Sequence, residues 1–213
     1  MREYPENWNS QLDTGLQQMG LELSQAQQQK LLKYLALLMK WNRAYNLTAI
    51  RDPEEMVSRQ LLDSLSILPL IHGRRILDVG TGAGLPGIPL AICLPDVSFT
   101  LLDSNGKKIR FVQQVKLELG LDNVEVQHSR VEQLDNVMGF DTITSRAFAA
   151  LPKMVALTTG LMADQGILLA MKGTVPQEEV AELRQTGAEV EITRLEVPQS
   201  GGERHAIIVH PQR

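Results

Sequence analysis

The stretch that decides the fold is Asp78-Val79-Gly80-Thr81-Gly82-Ala83-Gly84-Leu85-Pro86-Gly87. It directly follows the apolar run Arg75–Val79, which we predict to be a strand, and it leads into a predicted helix over residues 86–94. Glycines are needed at such a point because the turn is tight and because a ligand has to approach the backbone closely. The stretch therefore predicts a ligand-binding turn between a strand and a helix of an α/β sheet.

Further strands and helices alternate along residues 74–213. The helical pattern is clearest over residues 107–119, where apolar residues share one side and Gly120 provides a stop. Such alternation predicts a parallel sheet covered by helices on both faces. The predicted strands after the first are Ser98–Leu102, Val124–Gln127, Asp141–Thr144, Gly166–Met171, and a closing hairpin of Val190–Val197 and His205–His210 around the turn at residues 200–202.

The first 73 residues have a different, helical pattern. Ser24 and Gln27 form a capping box at the start of a long amphipathic helix. A second helix is expected from Asp52, with Pro53 at its first position, and a short one over residues 11–19. We therefore predict a helical N-terminal segment, residues 1–73, packed on a Rossmann-like domain, residues 74–213. The first eight or so residues form an extension that this pattern does not explain.

Composition excludes several classes of protein. The chain has 213 residues, 43% of them hydrophobic, which is ordinary for a globular domain. Its one cysteine excludes an internal disulfide and a cysteine-based zinc site, and its four histidines are scattered, so no metal site is expected. The N-terminus lacks the apolar core of a signal peptide, and no long apolar run is present. We expect a cytoplasmic monomer that does not enter membranes.

The overall charge is a poor guide to the partner. A formal net charge of −4 counts weakly against nucleic acid. Residues 23–51, however, contain five cations and no acid. Within this segment, Lys40 and Arg43 are candidates for RNA contact, because cations gain from phosphate neutralisation. The alternative is an ordinary solvated helix face.

Two acids beside the glycine turn indicate which cofactor it binds. Asp103 ends the second predicted strand, where a carboxylate can accept hydrogen bonds from ribose hydroxyls. Asp78 directly precedes the turn and would repel the pyrophosphate of a dinucleotide, whereas it suits the ammonium of S-adenosylmethionine. We therefore predict S-adenosylmethionine as cofactor, with Gly80 and Gly82 forming the turn around it. An alternative role stays open for Asp78, which could cap a helix or pair with Arg75. An alternative class stays open for the whole chain, which could be an NAD-dependent oxidoreductase.

The residues also narrow the reaction. Methylation of pyrimidine carbon-5 needs a cysteine nucleophile, but the only cysteine, Cys93, lies in an apolar run and is expected in the core. In place of the motif typical of amine methylation, the end of the fourth strand carries Ser145-Arg146-Ala147-Phe148. The guanidinium of Arg146 suits the two acceptors N7 and O6 of guanine. Guanine N7 is nucleophilic without losing a proton, so catalysis requires positioning, for which Arg146 and Lys172 are the candidates.

Motifs along nearly the whole chain resemble the RsmG (GidB) family of small-subunit ribosomal RNA methyltransferases. Beside the glycine turn, the motifs that carry the resemblance are Trp41-Asn42-x-Ala44-Tyr45-Asn46-Leu47-Thr48, Leu62-Asp63-Ser64, Leu101-Leu102-Asp103-Ser104, Ser129-Arg130-Val131-Glu132, Ser145-Arg146-Ala147-Phe148, Lys172-Gly173 and Gly202-Glu203-Arg204-His205. The chain departs from the family at Ala83, where relatives commonly have a proline.

The resemblance implies methylation of N7 of one guanine in bacterial 16S ribosomal RNA. It also implies a set of cofactor-binding residues: Gly80, Leu85, Val131, Glu132 and Arg146, with Asp103 on the ribose. The basic positions that match residues thought to face RNA are Arg130, Arg146 and Lys172.

Each of these roles has a structural alternative. Arg146 could instead form a salt bridge with Glu132 or Asp141, and Lys172 could be a surface lysine at a strand end. Trp41 and Tyr45 could stack on a base, although aromatic residues at helical spacing more often belong to the core. The whole chain could be a non-catalytic RNA-binding module that kept the fold.

Overall fold

A seven-stranded sheet forms the centre of the computed structural model, which describes residues 4–135, 138–146 and 149–212. The strand order is β3-β2-β1-β4-β5-β7-β6; β1 to β5 are mutually parallel, and β7 runs antiparallel between β5 and β6. The strands are β1 (Arg75–Val79), β2 (Ser98–Asp103), β3 (Val124–His128), β4 (Phe140–Arg146), β5 (Met162–Lys172), β6 (Glu189–Arg194) and β7 (His205–His210). The predicted α/β sheet is confirmed, with β6 ending earlier than expected.

Eight α-helices are present in the part of the chain that the structure describes. Those before the sheet are α1 (Asn7–Gln18), α2 (Gln25–Tyr45), α3 (Pro53–Met56) and α4 (Asp63–Leu65). Those between strands are α5 (Gly87–Cys93), α6 (Gly106–Leu119), α7 (Leu151–Thr158) and α8 (Gln177–Gln185). A π-helical segment, Val57–Leu62, joins α3 to α4, so the helix expected from Asp52 exists but contains a wider turn. Among the described residues, we find no helix with the length and apolarity that a membrane span requires.

The helix ends follow their capping residues. The side chain of Ser24 accepts from the backbone of Gln27, and the Gln27 side chain accepts in return from the Ser24 backbone, as the predicted capping box requires. Helix α1 begins at Asn7, earlier than predicted, because Trp8 is fully buried and its Nε1 donates to the carbonyl oxygen of Pro53 at 2.9 Å. Part of the unexplained N-terminal extension thus anchors α1 to the start of α3.

The N-terminal helices cover one face of the sheet and share its hydrophobic core. Leu31, Leu35 and Leu38 of α2 belong to the same buried cluster as Phe111 of α6 and Phe99 of β2. A second cluster fills the opposite face, where α7 and α8 pack. Helix α2 is thereby held directly against the elements that follow the glycine turn.

Candidate functional site

A cavity of about 420 Å³ opens beside the carboxyl ends of β1, β2 and β3. In open α/β sheets this edge is the place where ligands bind. The residues that line the cavity are Val79, Gly80, Leu102, Asp103, Ser104, Lys108, Ser129, Arg130, Val131 and Glu132.

The glycine turn is held against the end of β2. The backbone N–H of Gly82 donates to Oδ2 of Asp103 at 2.9 Å, and that of Asn105 donates to Oδ1 at 2.8 Å. Gly80 and Gly82 have φ angles of 68° and 62°, a conformation that disfavours any side chain. The Asp103 carboxylate is therefore fixed at the cavity wall, where a ribose-binding acid was predicted.

Asp78 lies fully buried beneath the same turn. Its Oδ2 accepts from the Thr81 hydroxyl at 2.6 Å and from the backbone N–H of Gly87, at the start of α5, at 3.0 Å. Burial raises the pKa of Asp78 to about 6, against the lowering effects of these two hydrogen bonds and of the Arg146 charge. The capping interpretation fits these bonds, while Oδ1 has no hydrogen-bond partner among the residues described.

The alternative pairing of Asp78 with Arg75 is wrong. Arg75 forms its salt bridge with Asp141 at 3.0 Å. Arg75 and Asp78 are three residues apart in one strand, so their side chains point to opposite faces of the sheet. The thiol of Cys93 is buried, and burial raises its pKa to about 12, in keeping with a core residue.

A tyrosine from the N-terminal segment supports the glycine turn. Tyr34 of α2 is completely buried, and its hydroxyl donates to the carbonyl oxygen of Ala83 at 2.8 Å. Burial raises the pKa of this hydroxyl above its usual range. No sequence motif assigns a functional role to Tyr34, whose only signal is its place on the apolar side of a helix.

Two arginines from distant parts of the chain meet at one aspartate. Asp63, at the start of α4, accepts from Arg146 Nη1 at 3.1 Å and from Arg204 Nε at 2.8 Å. The alternatives that paired Arg146 with Glu132 or Asp141 are therefore wrong. Asp141 lies near the other end of β4, about 16 Å away along the strand, and is occupied by Arg75.

A chain of amide hydrogen bonds extends this cluster to the end of α2. Arg146 Nη2 donates to Oε1 of the buried Gln60 at 2.9 Å, and Gln60 Nε2 donates to the hydroxyl of Thr48 at 2.8 Å. The backbone N–H of Thr48 in turn donates to Oδ1 of Asn42 at 2.9 Å. The motifs around Asn42, Asp63, Arg146 and Arg204 thus form one polar network beside the end of β4.

The structure brings together four of the eight predicted cofactor residues around the cavity. Gly80, Asp103, Val131 and Glu132 line it. The other four do not line it: Asp78 and Leu85 are buried, Gly82 bonds to Asp103, and Arg146 is held by Asp63. Ala147 and Phe148, which belong to the Arg146 motif, lie outside the described residues.

Apart from Arg146, which is paired with Asp63, the predicted RNA-binding residues are spread over three places. Arg130 lines the cavity itself. The Nζ of Lys172 donates to the carbonyl oxygen of Ala149 at 3.1 Å and lies 3.8 Å from Glu179 Oε2. Lys40 and Arg43 are exposed on α2. Lys108, to which no sequence motif assigns a role, also lines the cavity; its signal is its position in the first helical turn after β2.

The two aromatic residues of the Trp41 motif have different surroundings. Trp41 is partly buried and contacts Phe111, with ring centroids 5.6 Å apart, as a core residue would. Tyr45 is 43% exposed, so its expected place in the core is wrong. Over residues 4–135, 138–146 and 149–212, no group of three or more His, Cys, Asp or Glu side chains is arranged to hold a metal ion.

The sheet order, the glycine turn and the acid at the end of β2 define a Rossmann-like fold of the S-adenosylmethionine-dependent methyltransferase class. Solved structures share this fold. A SAM-dependent methyltransferase from Aquifex aeolicus superposes with a TM-score of 0.58 at 21% identity, covering 77% of this chain and 96% of that one. One from Thiobacillus denitrificans, in complex with S-adenosyl-L-homocysteine, gives 0.54 at 13% identity, covering 83% and 97%.

The chain belongs to the rRNA small subunit methyltransferase G family, whose family model (GidB) matches residues 27–208. Curated relatives bear the name ribosomal RNA small subunit methyltransferase G. The relative from Marinobacter nauticus is 58% identical over 207 residues, which are 97% of this chain and 96% of that protein. The relative from Hahella chejuensis is 49% identical over 203 residues, or 95% and 94% of the two chains.

Proposed function

We propose that this chain transfers a methyl group from S-adenosylmethionine to N7 of one guanine in 16S ribosomal RNA. The observation that carries the proposal is the cavity whose wall combines the Gly80 turn with the fixed carboxylate of Asp103. Membership of the rRNA small subunit methyltransferase G family supports it. We further propose that the protein acts as a monomer in the cytoplasm.

The residues around the cavity fit S-adenosylmethionine. Asp103 would accept from the ribose hydroxyls, while Val131 and Glu132 would border the adenine. Gly80, Gly82 and Leu85 would hold the methionine part against the turn. The unpartnered Oδ1 of Asp78 provides an acceptor for a cation such as the ammonium group. When bound, the cofactor supplies an electrophilic methyl group.

Arg146 is the residue proposed to orient the guanine. A guanidinium can bridge the acceptors N7 and O6 of guanine, and N7 needs no general base. The Arg146 side chain is 26% exposed, and its charge acts on Asp78, so it lies within electrostatic range of the glycine turn. Lys172, at the end of β5, would help to position the substrate.

The surrounding basic residues are proposed to hold the RNA backbone. Arg130 at the cavity, Lys172, and the exposed Lys40 and Arg43 would neutralise phosphates. A local positive surface of this kind is sufficient for a protein that recognises one structured site, even though its net charge is −4.

The proposal is tested by incubating the purified protein with labelled S-adenosylmethionine and small ribosomal subunits from a strain that lacks this modification. We expect stoichiometric transfer, with 7-methylguanosine found by mass spectrometry of the digested RNA at a single position. A different methylated nucleoside would overturn the N7 assignment. Subunit binding without transfer would favour the RNA-binding module, and NADH binding in place of S-adenosylmethionine would favour the oxidoreductase.

A further inference from the structure

Helices α2 and α6 together carry an unusual concentration of positive charge. They contain eight cations and a single acid, Glu118, in a chain whose net charge is −4. The cations are Lys30, Lys33, Lys40, Arg43, Lys107, Lys108, Arg110 and Lys116. Five of the eight side chains are exposed: Lys33, Lys40, Arg43, Lys107 and Arg110.

The two helices run antiparallel, and two contacts between them show which residues of α2 and α6 lie opposite each other. Lys33 Nζ donates to the carbonyl oxygen of Glu118 at 3.2 Å, and Trp41 contacts Phe111. From Lys33 to Trp41 the chain advances eight residues along α2, and from Glu118 to Phe111 it goes back seven residues along α6. Because each helical residue rises about 1.5 Å, the two distances are nearly equal and the helices stay side by side. One further turn brings Tyr45 level with the first turn of α6, which carries Lys107 and Lys108.

This position connects Tyr45 to the cofactor cavity. Lys108 lines the cavity, and its Nζ lies 4.0 Å from where a Cβ on Gly82 would be. Tyr45, at the end of α2, therefore lies at the same end of the helix pair as Lys108, which lines the cavity.

The Tyr45 ring is exposed and yet held in place. It is 43% exposed and stacks on Trp41, with ring centroids 5.3 Å apart and an interplanar angle of 29°. Trp41 in turn is fixed against the buried Phe111. An exposed ring on a rigid support loses little conformational entropy when a planar ligand stacks on it.

We propose that Tyr45 is a stacking platform for an unpaired base of the ribosomal RNA beside the target guanine, with Lys40 and Lys107 contacting its phosphates. This inference rests on the proposed function. Aromatic rings among cations are the usual means of holding single-stranded nucleic acid, because rings stack on bases and cations follow the backbone. The scarcity of acids on both helices favours RNA over a protein partner, which would call for a mixed surface.

The test compares three variants. Tyr45→Ala removes the ring, Tyr45→Phe keeps it without the hydroxyl, and Leu117→Ala removes a side chain of α6 that is 75% exposed and lies away from the platform. We expect Tyr45→Ala to raise KM for the small subunit by about fivefold or more, from the usual contribution of one stacked base. Tyr45→Phe and Leu117→Ala should resemble the wild type, and the Kd for S-adenosylhomocysteine should be the same in all four proteins.

An unchanged KM for Tyr45→Ala would overturn the inference, as would an equal loss in Tyr45→Phe or in Leu117→Ala. If the wild type transfers no methyl group, the proposed function fails and the platform is tested by fluorescence anisotropy with an oligouridine strand. The ring would then be expected to tighten binding of that strand by a similar factor, and equal affinities of wild type and Tyr45→Ala would refute the platform. A Lys107→Gln variant should bind the strand with a weaker dependence on salt.

Discussion

The hydroxyl of Tyr34 donates a 2.8 Å hydrogen bond to the carbonyl oxygen of Ala83, and so connects the long N-terminal helix to the middle of the glycine turn. The acceptor is a backbone atom, so the bond does not depend on which side chain stands at position 83. The buried Tyr34 of α2 therefore supports the glycine turn through its backbone.

Tyr34→Phe is expected to destabilise the protein by about 1–3 kcal/mol, because it leaves the Ala83 carbonyl buried without its donor. S-adenosylmethionine should also bind more weakly, since the turn loses its support. Chemical denaturation and calorimetric titration measure the two effects. The matched control is Tyr45→Phe, which removes a hydroxyl from an exposed ring and should change the stability by less than about 0.5 kcal/mol.

Gly82→Val should abolish S-adenosylmethionine binding, and Gly120→Val should not. Both glycines have a positive φ, 62° and 59°, so either valine costs roughly 1–2 kcal/mol of backbone strain. Only Gly82 belongs to the cavity turn, through its hydrogen bond to Asp103. If calorimetry shows wild-type affinity in Gly82→Val, the assignment of the turn to the cofactor is wrong.

Asp63→Asn is expected to lower the free energy of unfolding by about 2 kcal/mol, because two partly buried guanidinium groups lose their common counter-charge. Glu55→Gln provides the comparison, since it breaks the exposed pair with Arg59, which should contribute less than about 1 kcal/mol. Urea denaturation of both variants gives the difference. Equal small losses would show that the Asp63 cluster contributes no more than a surface pair.

Arg146→Lys should reduce methyl transfer at least about tenfold while largely preserving stability. Lysine keeps a positive charge for Asp63 but cannot make the planar, paired contacts proposed for guanine. Arg75→Lys is the control, because Arg75 forms a comparable pair with Asp141 far from the cavity. Initial rates on ribosomal subunits and thermal unfolding separate the two properties; wild-type rates in Arg146→Lys would refute the orienting role.

The affinity for S-adenosylmethionine should increase as the pH rises from about 5 to about 7. The folded protein without ligand has a pKa of about 6 at Asp78, and a bound ammonium would favour the ionised carboxylate. At a pH below this pKa, binding of S-adenosylmethionine therefore releases a proton from Asp78. At a pH above it, the affinity should no longer depend on pH. Calorimetry across this range is the measurement, and Asp78→Asn should show no such dependence. A flat profile in the wild type would leave Asp78 with its capping role alone.

The strands and the glycine turn could be predicted because they depend on nearby residues. Arg75–Val79 and the glycines after it carry their own pattern, and the structure reproduces the strand as predicted. The Asp63 cluster could not be predicted in this way. Its hydrogen bonds join residues 83 and 141 positions apart, so only the completed fold shows that Arg146 pairs with Asp63.

Periodicity also has limits within a single helix. The apolar spacing after Asp52 indicates a helix but does not distinguish an α-turn from the π-helical segment at Val57–Leu62. Similarly, Trp41 and Tyr45 occupy the same side of α2, but the packing of α6 covers Trp41 and leaves much of Tyr45 exposed. Which residues of α2 are covered by α6 depends on the tertiary packing of the two helices, and the spacing of apolar residues in the sequence does not determine it.

The position of β7 has a consequence for the order in which the protein matures. β7 is synthesised after the other six strands, yet it lies between β5 and β6. Until it emerges from the ribosome, the nascent chain presents the unpaired edges of both strands, which are potential sites of aggregation. Arg204, directly before β7, forms its ion pair with Asp63 in the completed sheet. We therefore expect the polar network beside β4 to be completed late in biosynthesis, because a chain that ends before residue 204 lacks the Arg204–Asp63 ion pair.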